Sequence, residues 1–204
     1  MIRYAITDGA RFGPDPDQRF AGLCADAVRW AELGVDYVQL REKPLEAGEL
    51  LWLTQAMVRI FMEYGATTKL LVNGRADVAF VAGADGVHLT SSNSELTVAQ
   101  VRRIFMHAGG AAPIVSMSCH GVEAAARAHA SGVDLILFGP VYEKRVGGTL
   151  VTEGVGVKTL QEVCRTAGST PVLALGGVDA DNAAACLEAG ASGIAGIRLF
   201  AENY

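Results

Sequence analysis

Two rhythms of apolar positions alternate along this chain. Short runs read as strands at Arg3 to Thr7, Tyr37 to Arg41, Lys69 to Asn73, Gly86 to Leu89, Ile114 to Ser118, Leu135 to Phe138, Val172 to Leu175 and Ile194 to Ile197. Longer stretches with helical spacing fall between them: Asp17 to Leu33, Glu46 to Tyr64, Ala76 to Ala82, Val98 to His107, Val122 to Ala130, Lys158 to Thr166 and Ala180 to Glu188. The segment Gly9 to Pro16 is a loop of Gly, Pro and Asp. Glu143 to Gly156 is the longest irregular stretch and reads as a mobile loop.

One phrase returns four times: Gly34-Val35-Asp36-Tyr37-Val38, Gly83-Ala84-Asp85-Gly86-Val87, Gly132-Val133-Asp134-Leu135-Ile136 and Gly190-Ala191-Ser192-Gly193-Ile194. Each copy follows an Ala-rich amphipathic stretch and opens an apolar run. Physically this is a helix stopped by glycine, then a tight turn into a strand. The spacing between copies fits two strand-helix units per period. Four double units predict a single α/β domain over residues 1–204, a closed (β/α)8 TIM barrel. Ala201 to Tyr204 is too short for a full eighth helix, so that helix is expected to be absent or very short. An open doubly wound sheet would want a glycine fingerprint after the first strand, and Thr7-Asp8-Gly9-Ala10 is not one.

In a barrel, chemistry belongs at the C-terminal ends of the strands. Side chains alternate faces along a strand, so Gln39, Arg41 and Lys43 share the inward side of the second strand while Val38 and Leu40 face outward. A guanidinium at a barrel mouth wants an anion, either a ligand or a carboxylate such as Asp8. In the fifth strand Ser116, Ser118 and His120 share one face, with His120 at the rim. It serves either as a general acid or base or as a cap of the next helix. His88 reads as filler of the barrel interior, and His107 and His129 as surface residues. Asn73 ends the third strand, where it donates to a ligand or holds the turn. Gly176-Gly177 ends the seventh strand ahead of a helix, with Arg198 after the eighth strand. That is the recurrent phosphate site of this fold.

Composition removes other classes. Net charge is −5 with scattered Lys and Arg, which argues against a nucleic-acid surface or a polybasic membrane patch. Cys24, Cys119, Cys164 and Cys186 form no Cys-x-x-Cys, which suggests a reduced, cytoplasmic protein. Strand-like sequence from Ile2 leaves no room for a signal peptide, and no apolar run is long enough for a bilayer.

The motifs Gln39-Leu40-Arg41-Glu42-Lys43, Asn73-Gly74-Arg75-Ala76-Asp77, Gly83 to Leu89, Ser118-Cys119-His120, Phe138-Gly139-Pro140-Val141-Tyr142 and Ala174-Leu175-Gly176-Gly177-Val178 stand in this order. Together they resemble the thiamine phosphate synthase/TenI family of small barrels. The resemblance runs from Tyr4 to Ile197. It implies one of two activities. The synthase joins hydroxymethylpyrimidine diphosphate to thiazole phosphate, using Mg²⁺ held by an Asp after the strand 3 Asn and another after the strand 4 His-Leu. Here those positions are Gly74 and, as the nearest match, Asn93. The lysine of the family's loop after the sixth strand is displaced in Glu143-Lys144-Arg145-Val146-Gly147, and Arg198 replaces the usual Ser. TenI-type proteins carry Asn-Gly-Arg and aromatise a carboxythiazole phosphate by proton transfer, without metal.

The expectation is therefore a TenI-type thiazole tautomerase, an isomerase, with His120 as the catalytic residue. Gln39, Arg41, Lys43, Asn73, Ser118, Glu143, Gly176, Gly177, Ile197 and Arg198 are expected to bind the substrate. No cofactor and no metal are expected; Mg²⁺ enters only under the synthase alternative. A catalytically inactive binder of thiazole or thiamine phosphate is the third reading. The expected partner is a small thiazole phosphate, not nucleic acid or membrane. The chain stops soon after the eighth strand, so Ile194, Ile197, Leu199 and residues around Tyr4 and Ile6 are expected to face a gap, closed by a homo-oligomer or by the Gly9 to Pro16 loop.

Overall fold

The computed structural model describes residues 1–90, 95–107, 109–146 and 149–200. Ten strands and seven α-helices alternate among them: β1 (Ile2–Ile6), α1 (Pro16–Glu32), β2 (Tyr37–Leu40), α2 (Ala47–Glu63), β3 (Lys69–Asn73), α3 (Ala76–Ala82), β4 (Gly86–Leu89), α4 (Val98–His107), β5 (Ile114–Cys119), α5 (Val122–Ser131), β6 (Leu135–Phe138), β7 (Lys144–Val146), β8 (Thr149–Thr152), α6 (Gly156–Thr166), β9 (Val172–Leu175), α7 (Ala183–Glu188) and β10 (Gly193–Gly196). Eight strands close a parallel barrel in the order β1-β10-β9-β6-β5-β4-β3-β2. The repeated glycines Gly34, Gly83, Gly132 and Gly190 all have positive φ, as the helix-stop reading requires.

Side chains alternate between two cores. Tyr4, Ile6, Leu135, Leu137, Leu173 and Ala195 fill the barrel interior. Outward side chains such as Val38, Leu40, Val72, Val87 and Ile136 join Trp30, Leu53, Met57, Val101 and Leu160 of the helices in one continuous layer. Each large side chain buried there contributes about 1.5–3 kcal/mol. Local chemistry starts the helices. Asp15 caps α1 by accepting from the amide of Asp17 at 2.9 Å, with Pro16 in the first turn. Glu46 and Glu49 form a capping box on α2.

Three expectations need correction. Residues from Glu143 to Gly156 are not irregular throughout: β7 and β8 pair antiparallel within them. Lys-Arg-Val and Thr-Leu-Val-Thr flank Gly147-Gly148, a hairpin signal in the sequence. Helix α7 begins at Ala183, not Ala180. The Asp179 side chain accepts from the amides of Asp181 and Asn182, both at 3.1 Å. These bonds offer the backbone a turn in place of a helical start.

The third correction concerns the end of the barrel. Tyr4 and Ile6 face the interior, and Ile197 packs against that same cluster. Ile194 is fully buried in the outer layer. A single 3-10 turn, Arg198–Phe200, follows β10. The Phe200 carbonyl accepts from Trp30 Nε1 at 3.0 Å and from Arg29 at 2.9 Å, which ties this turn to α1. The described residues thus cover this sector themselves, and Tyr4, Ile6 and Ile194 do not face a gap. No helix among the described residues is long and apolar enough to cross a membrane.

Candidate active site

Three groups of side chains ring the C-terminal mouth. The first lies at β2 and β3. Gln39 is buried, and its Nε2 donates to Asn73 Oδ1 at 3.0 Å. Asn73 thus ties two strand ends together. The Arg41 amide donates to Thr7 Oγ1 at 2.9 Å. The Arg41 and Lys43 side chains are exposed and form no ion pair among the described residues; the bridge to Asp8 is not made. Arg75, by contrast, is engaged by Asp77 through two bonds of 2.9 and 2.6 Å. Glu42, between Arg41 and Lys43, turns away to accept from the Gly9 amide at 3.0 and 3.1 Å. Burial raises its carboxyl above the usual range, against the opposing bonds from Thr7 and Gly9. Lys43, Asn73, Gly74 and Arg75 line a cleft of about 240 Å³ here.

The second group lies at β9 and β10. Gly176 and Gly177 have φ of 89° and 64°. A Cβ on Gly176 would stand 2.6 Å from Pro140 Cα, and one on Gly177 2.7 Å from Tyr142 Cβ. Both glycines are therefore required by the close passage of the Pro140–Tyr142 segment, whatever they bind. Asn182 Nδ2 donates to the Gly177 carbonyl at 2.9 Å and holds the turn. Glu143, Gly176, Gly177, Ile197 and Arg198 line a cleft of about 520 Å³. Arg198 is exposed and has no ion pair among the described residues.

The third group lies at β4, β5 and β6. His120 follows β5, and its Nδ1 is 2.6 Å from the Gly139 carbonyl. A carbonyl only accepts, so Nδ1 carries a hydrogen, and Nε2 is the ring nitrogen left for a substrate. The capping alternative fails: Gly121 is the N-cap of α5, with no side-chain bond. Beneath the rim, His88 is buried between two serines. Its Nδ1 lies 2.8 Å from Ser116 Oγ, and its Nε2 lies 2.8 Å from Ser118 Oγ. Tyr4 completes the cluster, with its hydroxyl 3.1 Å from Ser116 Oγ. The shared inward face of Ser116 and Ser118 was visible in the sequence. The bond between Ser116 and Tyr4 was not, since it spans 112 residues.

The resemblance implies magnesium if the synthase reaction is the activity. Gly74 offers no side chain at the first carboxylate position, and the nearby Asp77 carboxylate is engaged by Arg75. Asn93 lies outside the described residues. Among the described residues no group of three or more His, Cys, Asp or Glu converges. Among the described residues, the first of the two carboxylate positions of the synthase's magnesium site therefore offers no ligand side chain.

The sequence profile described as Thiamine monophosphate synthase matches residues 4–200. The chain belongs to this family. Among the relatives of this family member is the "Putative thiamine-phosphate synthase" of Geobacter sulfurreducens, 43% identical over 165 residues, which are 79% of this chain and 71% of that one. The "Putative thiamine-phosphate synthase 2" of Aquifex aeolicus is 34% identical over 199 residues, 98% of this chain and 97% of that one. The solved thiamine phosphate pyrophosphorylase of Pyrococcus furiosus superposes with a TM-score of 0.76 at 25% identity, covering 99% of this chain and 88% of that one.

Proposed function

We propose that this family member is a thiamine-phosphate synthase, a transferase joining hydroxymethylpyrimidine diphosphate to thiazole phosphate. The observation that carries the reading is that cationic side chains stand at two separate places at the C-terminal ends of the strands: Lys43 in one cleft, and Arg198, beside Glu143 and Asp179, in another. Arg41 and Lys43 stand at β2, Arg198 stands after β10, and β1 lies between these strands in the barrel. A condensation of two anionic substrates needs two such places. The relatives at 43% and 34% identity carry the synthase name and support the same choice over an isomerase.

In this reading Arg198 and the Gly176-Gly177 turn hold the thiazole phosphate. Arg41 and Lys43 meet the diphosphate and stabilise it as a leaving group. Gln39 and Asn73, locked to each other, position the pyrimidine. The carbon–oxygen bond of the pyrimidine methylene breaks and pyrophosphate leaves with its electron pair. The thiazole ring nitrogen then forms the new carbon–nitrogen bond.

A second reading, thiazole tautomerase, is favoured by two observations: Gly74 removes a metal carboxylate, and His120, anchored through Nδ1 to the Gly139 carbonyl, has Nε2 left for a substrate. An assay with both substrate sets, each with and without Mg²⁺, separates the two. Pyrophosphate release from the two-substrate mixture is expected. Aromatisation of the carboxythiazole phosphate with no pyrophosphate release overturns the synthase reading in favour of the tautomerase. Binding without either turnover overturns both in favour of an inactive binder.

A further inference from the structure

Tyr4, Ser116 and His88 are buried on the barrel axis, and Ser118 stands half-buried above them at the mouth. Tyr4 is held in place by a stacked contact with Tyr37 and an edge contact with His88. Its hydroxyl has two polar neighbours, Ser116 Oγ at 3.1 Å and His88 Nδ1 at 3.5 Å. Ser116 Oγ in turn has Tyr4 and His88 Nδ1 as neighbours. Two hydroxyl groups therefore share the space beside one ring nitrogen.

Consider the possible proton positions. Burial raises the Tyr4 phenol, so it keeps its hydrogen. Burial, and then the Arg41 charge, push His88 down to about 3, so the ring is neutral with one N–H. Suppose that N–H sits on Nδ1. It then donates to Ser116 Oγ, and the two hydroxyl hydrogens of Tyr4 and Ser116 have one acceptor between them. One buried donor is orphaned, which costs its full desolvation. Suppose instead that Nδ1 is bare. Tyr4 donates to Ser116, Ser116 donates to Nδ1, and Nε2–H donates to Ser118 Oγ. Every buried donor is then satisfied. Ser118 has received a hydrogen bond, and its own O–H has no acceptor among the described residues.

We propose that His88, oriented by Tyr4 and Ser116, is a positioning residue that makes Ser118 a hydrogen-bond donor toward the mouth, so that the site takes a ligand whose atom over Ser118 is an acceptor. A ring nitrogen or an anionic oxygen fits there, since the Ser118 O–H is the group left to be satisfied. The proton arrangement stands on the geometry alone, while its use on a ligand rests on the functional reading above.

Two measurements on the full chain test it. The ¹⁵N spectrum of the His88 ring at neutral pH is expected to show hydrogen on Nε2. Hydrogen on Nδ1, or an imidazolium, overturns the proposal. Calorimetry with thiazole phosphate supplies the ligand arm. Ser118→Ala is expected to lose about tenfold in affinity, and His88→Leu as much. His88→Gln, whose carbonyl accepts from Ser116 while its amide donates to Ser118, is expected to stay within about threefold of wild type. A merely structural His88 would not discriminate these variants by polarity. Unchanged affinity in Ser118→Ala overturns the ligand half. If wild type does not bind thiazole phosphate, the functional reading fails, and the tautomer alone decides the proposal.

Discussion

The His120 ring, at the end of β5, is anchored through Nδ1 to the Gly139 carbonyl just beyond β6 at 2.6 Å. The bond fixes the ring across two neighbouring strands and leaves Nε2 as the nitrogen able to act. Two substitutions separate the ways it acts. Glutamine can accept a hydrogen bond but cannot take a proton. If His120 orients a substrate donor, His120→Gln is expected to retain most turnover while His120→Ala loses about 10²-fold. If it transfers a proton, both fall about 10²-fold or more. Steady-state rates of the two variants, with phosphate-ligand binding retained, check this. A near-wild-type rate in His120→Ala removes the residue from the mechanism.

Arg198 is expected to recognise the phosphate directly. It lines the same cleft as Gly176 and Gly177 and forms no ion pair among the described residues. Arg198→Ala should weaken the phosphate ligand by about 1.5–3 kcal/mol. Calorimetry with the same heterocycle lacking its phosphate is the control. Equal loss for both ligands would assign Arg198 to the fold instead.

Gly177→Ala should harm stability as well as binding. The added Cβ meets Tyr142 Cβ at 2.7 Å and the Glu143 carbonyl at 2.8 Å, at a φ of 64°. A non-glycine residue in that left-handed region costs about 1–2 kcal/mol before any clash. Urea unfolding should show that loss or more. An unchanged midpoint would mean that the Pro140–Tyr142 segment gives way freely.

His88 makes stability depend on pH in a definite direction. Its ring is held at about 3 when folded, against an ordinary value near 6.5 when unfolded. Between those values the unfolded chain binds the extra proton, so acid favours unfolding. The contribution is complete above about pH 6.5 and is lost as pH falls toward about 3, at about 1.4 kcal/mol per unit. Denaturation midpoints between pH 7 and 5 should fall more steeply for wild type than for His88→Gln. Parallel slopes would show that His88 titrates normally.

Most elements of the fold could be read before the structure. β3, α3, β4, α4, β6 and β9 have the limits expected from apolar periodicity and turn residues. The inward set Gln39, Ser116, Ser118 and Asn73 followed from strand parity once a barrel was assumed. The clefts holding Lys43, Asn73 and Arg198 also lie where the expected strand ends placed them. Other features escaped. The start of α7 depended on the competition between Asp179 and the helix for backbone amides. The double glycine looked like a phosphate turn, yet its tight packing against Pro140 and Tyr142 is reason enough for it.

Sequence alone determined the alternation of strands and helices, the glycine stops and the face of each polar strand residue, because those follow from neighbours a few positions away. Tertiary structure decided which of those inward residues meet. Tyr4 reaches Ser116 and His88 across 112 and 84 residues, and the Phe200 carbonyl reaches Trp30 across 170. Closing the barrel brings these groups into a dry interior. There each donor must find its acceptor among the few groups at hand. That requirement, and not any local pattern, sets the proton on His88 and seals the last sector of the barrel.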